Sequence, residues 1–318
     1  MPNFALIGAA GYIAPRHMKA IKETGSQLIA AVDKHDAVGI MDSYFPDASF
    51  FVEFERFDRH IEKLRRRGEE ERVHYVSIAS PNYLHDAHIR FALRTGGHAI
   101  CEKPLVLNPW NVDAIGQIEK ESGTKVNAIL QLRLHPAIMA LYDRVQVERK
   151  QDPARKYDID VTYITSRGRW YLVSWKGDLQ KSGGVATNIG IHFFDMLQWV
   201  FGRVQEVTVH LSDPTRVAGY LELESARVRW LLSIDRRDLP QSALEAGKTT
   251  YRSITVDKAE LEFSEGFTDL HTLSYQEILK GNGFGLEDVK PSIQIAYQIR
   301  NATPTGPRGQ YHPMLKRG

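Results

Sequence analysis

The chain has 318 residues, long for one hydrophobic core, so two domains are expected. Its 41 basic and 39 acidic residues leave a formal charge of +2, with 42% hydrophobic and 25% charged residues. That balance fits an ordinary globular protein and gives no electrostatic reason to expect nucleic acid or a membrane surface as partner. The single cysteine, Cys101, excludes a disulfide framework within these residues, and its apolar neighbours mark it as a core thiol. No apolar run approaches the ~20 residues of a membrane span, and the N-terminal segment lacks the basic lead of a signal peptide. A soluble, cytoplasmic protein is the expectation.

In chain order, Phe4–Gly8 reads as a short buried strand, and Tyr12–Thr24 as a helix with Ile13, His17, Ala20 and Ile21 at helical spacing. Strands follow at Leu28–Val32 and Phe50–Val52, then an amphipathic helix at Glu55–Arg67. Val73–Ala79 is a strand, and His85–Thr95 a helix stopped by Gly96-Gly97. Strand Ala99–Cys101, helix Pro109–Ser122 and strand Val126–Leu130 complete an alternation that specifies a doubly wound parallel sheet. After about Gln131 the pattern changes. Helix Pro136–Val147 leads into a charged loop at Glu148–Asp158. Apolar/polar alternation then marks strands at Ile159–Thr165, Val204–Leu211, Ala218–Leu223, Ala226–Ile234, Arg252–Val256 and Ala259–Phe263. These predict a largely antiparallel sheet with one solvated face. His192–Phe201 is predicted helical, Lys181–Ala186 and Pro240–Lys248 as loops, and Gly309–Gly318 as a tail or an arm onto a neighbouring subunit.

Two places carry chemistry at the level of the residues themselves. Gly8-Ala9-Ala10-Gly11-Tyr12-Ile13-Ala14 joins a strand to a helix, where main-chain N–H groups and a helix N-terminus can hold a pyrophosphate. Asp33 closes the second strand 22 residues after Gly11, where a carboxylate can accept ribose hydroxyls and repel a 2′-phosphate. NAD is therefore the expected cofactor, with Lys34 softening the preference over NADP. Further on, Glu102-Lys103-Pro104 ends the apolar run Ala99-Ile100-Cys101, which points one cation into the crevice at the carboxyl ends of the sheet.

Together with Ser80-Pro81-Asn82-Tyr83-Leu84-His85 and the run Ser182-Gly183-Gly184 to Asn188, Gly190, His192 and Asp195, these segments resemble the oxidoreductase family built around glucose–fructose oxidoreductase and inositol dehydrogenase. The Gly-rich turn departs from the family pattern by one extra residue after Gly8, and Asn188 stands where many relatives carry Asp. The resemblance implies an α/β protein: an NAD-binding Rossmann-type domain over 1–130 and a substrate-binding and oligomerisation α+β domain over 131–318. It implies cofactor contacts from Gly8, Ala10, Gly11, Tyr12, Ile13, Asp33, Ser80, Asn82, His85, Glu102 and Lys103, with Glu102 on the nicotinamide ribose and no metal site. His85 is equally readable as a helix-start histidine bonded to the backbone, and Asp195, three residues beyond His192, as a cap or structural ion pair just as well as a catalytic residue.

Lys103 and His192 are the expected catalytic residues. Oxidising a secondary alcohol needs a base for the O–H proton. A neutral imidazole at His192 is well tuned for that task, while Lys103, its pKa lowered by burial and a cationic cofactor, hydrogen-bonds the reacting oxygen. The reversed assignment fits nearly as well.

Across nearly the whole chain, further runs at Gln131–Pro136, Arg167–Tyr171, Ser174–Lys176 and Gly283–Asp288 resemble the bacterial UDP-N-acetyl-2-amino-2-deoxy-D-glucuronate 3-dehydrogenases of that family. This implies a UDP-sugar uronate substrate oxidised at its 3-hydroxyl on a path to lipopolysaccharide O-antigen, a homotetramer, and NADH recycled by 2-oxoglutarate. A uronate and a diphosphate favour guanidinium partners. Arg133, Tyr163, Arg167, Asn188 and His192 are the expected substrate residues. The rival readings are another sugar or cyclitol dehydrogenase on the same scaffold and a non-catalytic NAD-binding regulator.

Overall fold

The computed structural model describes residues 1–261 and 269–317. In chain order the first part comprises β1 (Asn3–Ile7), α1 (Ala14–Glu23), β2 (Gln27–Val32), β3 (Ser49–Phe51), α2 (Phe54–Arg67), β4 (Tyr75–Ile78), α3 (His85–Arg94), β5 (His98–Cys101), α4 (Pro109–Ser122) and β6 (Val126–Ala128). Next come α5 (Pro136–Gln151), β7 (Tyr157–Thr165), the short helices α6 (Trp170–Val173) and α7 (Leu179–Ser182), a π-turn at Ala186–Gly190, and α8 (Ile191–Phe201). Strands β8 (Val204–Ser212), β9 (Arg216–Leu223) and β10 (Ala226–Ser233) precede α9 (Gln241–Glu245), β11 (Thr250–Val256) and β12 (Ala259–Glu260). Helices α10 (Leu270–Leu279) and α11 (Leu286–Asn301) follow.

Two compact units divide the chain: Met1–Gln131 with Thr268–Lys290, and Leu132–Phe267 with Pro291–Gly318. Contiguous domains over 1–130 and 131–318 were expected. The segment around α10 instead returns to the first unit, because Tyr275 and Ile278 complete the core formed by Phe4, Leu6, Met18, Ile21 and Ile100. Six parallel strands form the first sheet, in the order β3-β2-β1-β4-β5-β6. Its central strands are apolar on both faces, as a sheet covered by helices requires. The strand order reverses between β1 and β4, the place where such sheets bind nucleotides.

The second unit carries a sheet ordered β12-β11-β7-β10-β9-β8, antiparallel except for the β7/β10 pair. The expected α/β class with a largely antiparallel second sheet is borne out. Trp230, Leu232, Leu221 and Val228 pack against Phe193, Phe194, Leu197 and Phe201 of α8 in its core.

Local differences from the sequence reading have simple causes. Helix α5 runs to Gln151 and β7 starts at Tyr157, so the charged stretch 148–158 is mostly ordered element ends, its charges spent on pairs such as Arg155 with Glu148 and Asp257. The expected loops at 181–186 and 240–248 contain parts of α7 and of α9. Of the expected strand 259–263, only β12 is described, and residues 262 and 263 lie outside the described residues. In the tail, His312 Nε2 lies 3.0 Å from Thr162 Oγ1, and just before it Thr305 N–H donates to Val209 O, so these residues contact their own sheet.

Candidate functional site

The Gly-rich turn follows β1 directly. Gly8 has φ +93°, and a Cβ there would lie 2.7 Å from the main chain of Ala79 and Ser80, so only glycine lets β1 and β4 end this close together. Gly11 N–H donates to Gly8 O and Ala14 N–H to Gly11 O, closing the turn onto α1. The extra residue is absorbed by Asp33, whose Oδ2 accepts the Ala10 N–H at 3.0 Å while Oδ1 accepts from His35 N. Ala10 N–H thus belongs to the turn's own scaffold.

Among the described residues, no protein acceptor answers the main-chain N–H groups of Tyr12 and Ile13, which open toward the start of the ten-residue α1. Free amides at a helix N-terminus are the donor set that a pyrophosphate requires. The turn therefore fits the expected dinucleotide, and Asp33 stands beside it at the end of β2.

Strand β5 delivers Glu102, Lys103 and Pro104. Lys103 is half-buried, and its peptide bond to Pro104 is cis. Glu102, expected at the ribose, is buried, and its carboxylate turns into its own domain. Oε1 lies 3.2 Å from His17 Nε2 and 2.8 Å from His271 Nε2, while Oε2 accepts the Lys103 N–H at 3.2 Å. Burial pushes this carboxyl up, but the bonds and charges of His17 and His271 more than offset it, leaving it well below the usual carboxylate range.

His85 is buried, with Nδ1 2.7 Å from Pro104 O and Nε2 2.8 Å from Ser80 O. Both ring nitrogens therefore face main-chain carbonyls, as in the backbone-bonded alternative reading. Ser80 Oγ bonds His88 Nδ1 at 2.8 Å, and Asn82, two residues on in the chain, is buried. The expected cofactor residues are thus of two kinds: Gly8, Gly11, Tyr12 and Ile13 lie in an open turn with Asp33 bonded to it, whereas the side chains of Ser80, His85 and Glu102 bond within the protein at the strand ends.

In the second unit, Gly183 has φ +78° and a Cβ would lie 2.7 Å from Thr187, which brings the glycine loop tightly onto the π-turn. That turn carries Asn188, and α8 begins immediately after it with half-buried His192 as its second residue. Single π-turns are frequent at functional positions. Asn188 Nδ2 donates to Tyr171 Oη at 2.6 Å. Burial raises the Tyr171 pKa, opposed by the Asn188 bond and the charge of nearby Arg167, whose own side chain is exposed. Tyr163 packs its ring on Phe193 at 5.2 Å and under Arg252 at 5.3 Å.

Arg133, expected to meet substrate, is buried and paired with Asp195 through two bonds of 2.9 and 2.7 Å. The ion-pair reading of Asp195 is the one the structure adopts. Sequence reasoning missed His271 and Tyr275, because nothing local ties a helix near residue 270 to a turn near residue 17.

Two solved structures of the WlbA (WbpB) dehydrogenase from Thermus thermophilus, one in complex with NAD and alpha-ketoglutarate and one with NAD and UDP-GlcNAcA, are 52% identical to this chain. They superpose with a TM-score of 0.93 and cover 98% of this chain and 99% of theirs. The 2,7-anhydro-N-acetylneuraminate hydratase of Escherichia coli (strain K12) is 26% identical over 216 residues, 67% of this chain and 53% of that protein. The chain spans about half the length, or less, of the curated relatives it matches first. Residues 2–129 match the NAD-binding Rossmann fold of an oxidoreductase family and residues 153–236 match that family's C-terminal alpha/beta domain, so the chain belongs to the glucose–fructose oxidoreductase/inositol dehydrogenase family.

Proposed function

We propose that this protein oxidises the 3-hydroxyl of UDP-N-acetyl-D-glucosaminuronic acid to the 3-keto sugar with NAD. The observation that carries this reading is the 52% identity, over 98% of the chain, to a dehydrogenase solved with NAD and UDP-GlcNAcA. NAD, when bound, supplies the acceptor for the sugar's C–H hydride. Tyr12 and Ile13 N–H hold the pyrophosphate at the start of α1, and Asp33 accepts from the adenosine ribose. The Lys103 ammonium hydrogen-bonds the sugar oxygen and stabilises the charge that develops on it, and the His192 imidazole accepts the hydroxyl proton. Asn188, held by Tyr171, orients the sugar, and the exposed Arg167 guanidinium answers the uronate or the diphosphate.

The same Thermus dehydrogenase was solved with alpha-ketoglutarate, which supports 2-oxoglutarate as the agent that reoxidises the cofactor. The product is a 3-keto nucleotide sugar, suited to an aminotransferase next, on a route to lipopolysaccharide O-antigen. The enzyme works in the cytoplasm as a homotetramer.

The test is the reduced-nicotinamide absorbance of the purified protein. UDP-GlcNAcA should generate the band, 2-oxoglutarate should erase it with release of 2-hydroxyglutarate, and Lys103→Ala should bind NAD yet lose turnover. A band that forms with inositol or free sugars but not with the UDP-uronate would overturn the substrate assignment. Wild-type turnover in Lys103→Ala would overturn the role of the lysine.

A further inference from the structure

Lys103 stands next to a buried polar chain of five side chains. The Glu102 carboxylate can only accept, so His17 and His271 each donate an Nε2–H to Oε1. Burial lowers the His17 pKa more than Glu102 raises it, so the ring is neutral and its Nδ1 is an acceptor. The Tyr275 hydroxyl, 2.7 Å away, therefore donates to Nδ1, and the Ser77 hydroxyl, 2.6 Å from Tyr275, donates to the phenol oxygen. Every proton in the chain is assigned by the one before it, and the other carboxylate oxygen ends on the Lys103 N–H. Three elements contribute, β4, α1 and α10, together with Glu102, the residue that follows β5.

We propose that His271 and Tyr275, on a helix 169 residues downstream of Glu102, are positioning residues that fix Lys103 through the Glu102 carboxylate. The cluster is buried, and Glu102 is the residue immediately before the lysine, so a shift of the carboxylate moves the peptide from which Lys103 projects. This explains why the segment around α10 rejoins the Rossmann unit: it supplies His271 and Tyr275 to the strand end that bears the cation. The proposal rests on the assignment of Lys103 above. The three groups His17, Glu102 and His271 also have the composition of a metal set, with ligand atoms within 4.8 Å of one another. The separations of 2.8 and 3.2 Å and the continuation to Tyr275 and Ser77 fit hydrogen bonds instead.

The experiment compares His271→Leu, His271→Gln, Tyr275→Phe and Lys103→Ala in the full-length protein, reading kcat, KM for UDP-GlcNAcA, NAD dissociation constant and zinc content. Glutamine offers an N–H where the histidine Nε2 lies. His271→Leu should lower kcat by about tenfold to a hundredfold, the range expected for a misplaced catalytic group, with NAD affinity and KM nearly unchanged. His271→Gln should recover most of the loss, and Tyr275→Phe, which keeps the fold's aromatic packing, should lose less than His271→Leu. Wild-type kcat in His271→Leu, equal damage from Leu and Gln, or stoichiometric zinc would each overturn the proposal. Should His271→Leu not fold, wild-type kcat in Tyr275→Phe would do so alone. Unimpaired Lys103→Ala would instead remove the assignment beneath it.

Discussion

His85 spans two strand ends, its Nδ1 2.7 Å from Pro104 O and its Nε2 2.8 Å from Ser80 O. With Glu102 held from the other side, Lys103 lies between two anchored neighbours. Both carbonyls are acceptors, while a neutral imidazole has one N–H. Burial lowers the ring's pKa, opposed by the two carbonyls and by the charge of Glu102. His85→Leu removes both contacts and leaves two carbonyls facing apolar side chain. It should destabilise the protein by about 2 kcal/mol and depress kcat, with His85→Gln intermediate because it restores one donor. Urea unfolding monitored alongside turnover checks this, and unchanged stability in His85→Leu would refute the bracing role.

Part of the acid lability should come from two buried histidines in separate units, His88 and His312. Burial brings both His88 and His312 down to about 4 from the ordinary 6.5. Between those values the unfolded chain holds a proton that the folded chain lacks, so stability rises with pH from 4 to 6.5 and is flat above. At 1.36 kcal/mol per unit, each histidine contributes on the order of 3 kcal/mol, present above pH 6.5 and lost as pH falls toward 4. Denaturation midpoints across pH 4 to 8 should show the plateau and the fall. His88→Gln should reduce the slope by the share of His88, leaving that of His17 and His85, whose pKa values burial also lowers, and an undiminished slope in that variant would exclude the assignment.

The Gly-rich turn and the lysine at the strand end were legible in the sequence because their chemistry is local: a φ only glycine adopts, and an apolar strand that stops at Glu102-Lys103-Pro104. The doubly wound parallel sheet was legible too, since strands alternating with helices at that spacing specify one, while the order of its strands came only with the structure. What escaped was non-local. Helix α11 carries Pro291 in its interior, which reads as a break, and α10 is buried on most sides, with Leu270, His271, Thr272, Ser274 and Tyr275 all inside. Neither shows the one-sided pattern that identifies a surface helix. For Glu102 the sequence supplied the position but not the partners, and the partners decide which way a carboxylate turns.

Cofactor choice should depend on Asp33 in a separable way. Its Oδ2 already accepts the Ala10 N–H, so Asp33→Ala both frees that amide and removes the charge facing a 2′-phosphate. NAD affinity should fall and the NAD-to-NADP preference should shift by about tenfold or more, the value of one hydrogen bond to a charged group. Asp33→Asn keeps an acceptor for Ala10 and should lose selectivity with less loss of NAD binding. Titration of both dinucleotides measures this, and an unchanged ratio in both variants would remove Asp33 from the ribose.

The Arg133–Asp195 pair separates a structural role from a substrate role. Both groups are buried and joined by two bonds, and the guanidinium lies 6.0 Å from the Trp199 ring. Removing one partner of a buried pair strands the other's charge. Asp195→Leu should therefore cost about 3–5 kcal/mol, while the double variant Arg133→Met with Asp195→Leu should recover most of it, because desolvation of the pair is relieved as well. Thermal unfolding of the two singles and the double measures the coupling. If Arg133→Met instead keeps its stability and raises KM for the UDP-sugar, the guanidinium serves the substrate, and Asp195 holds it in place for that purpose.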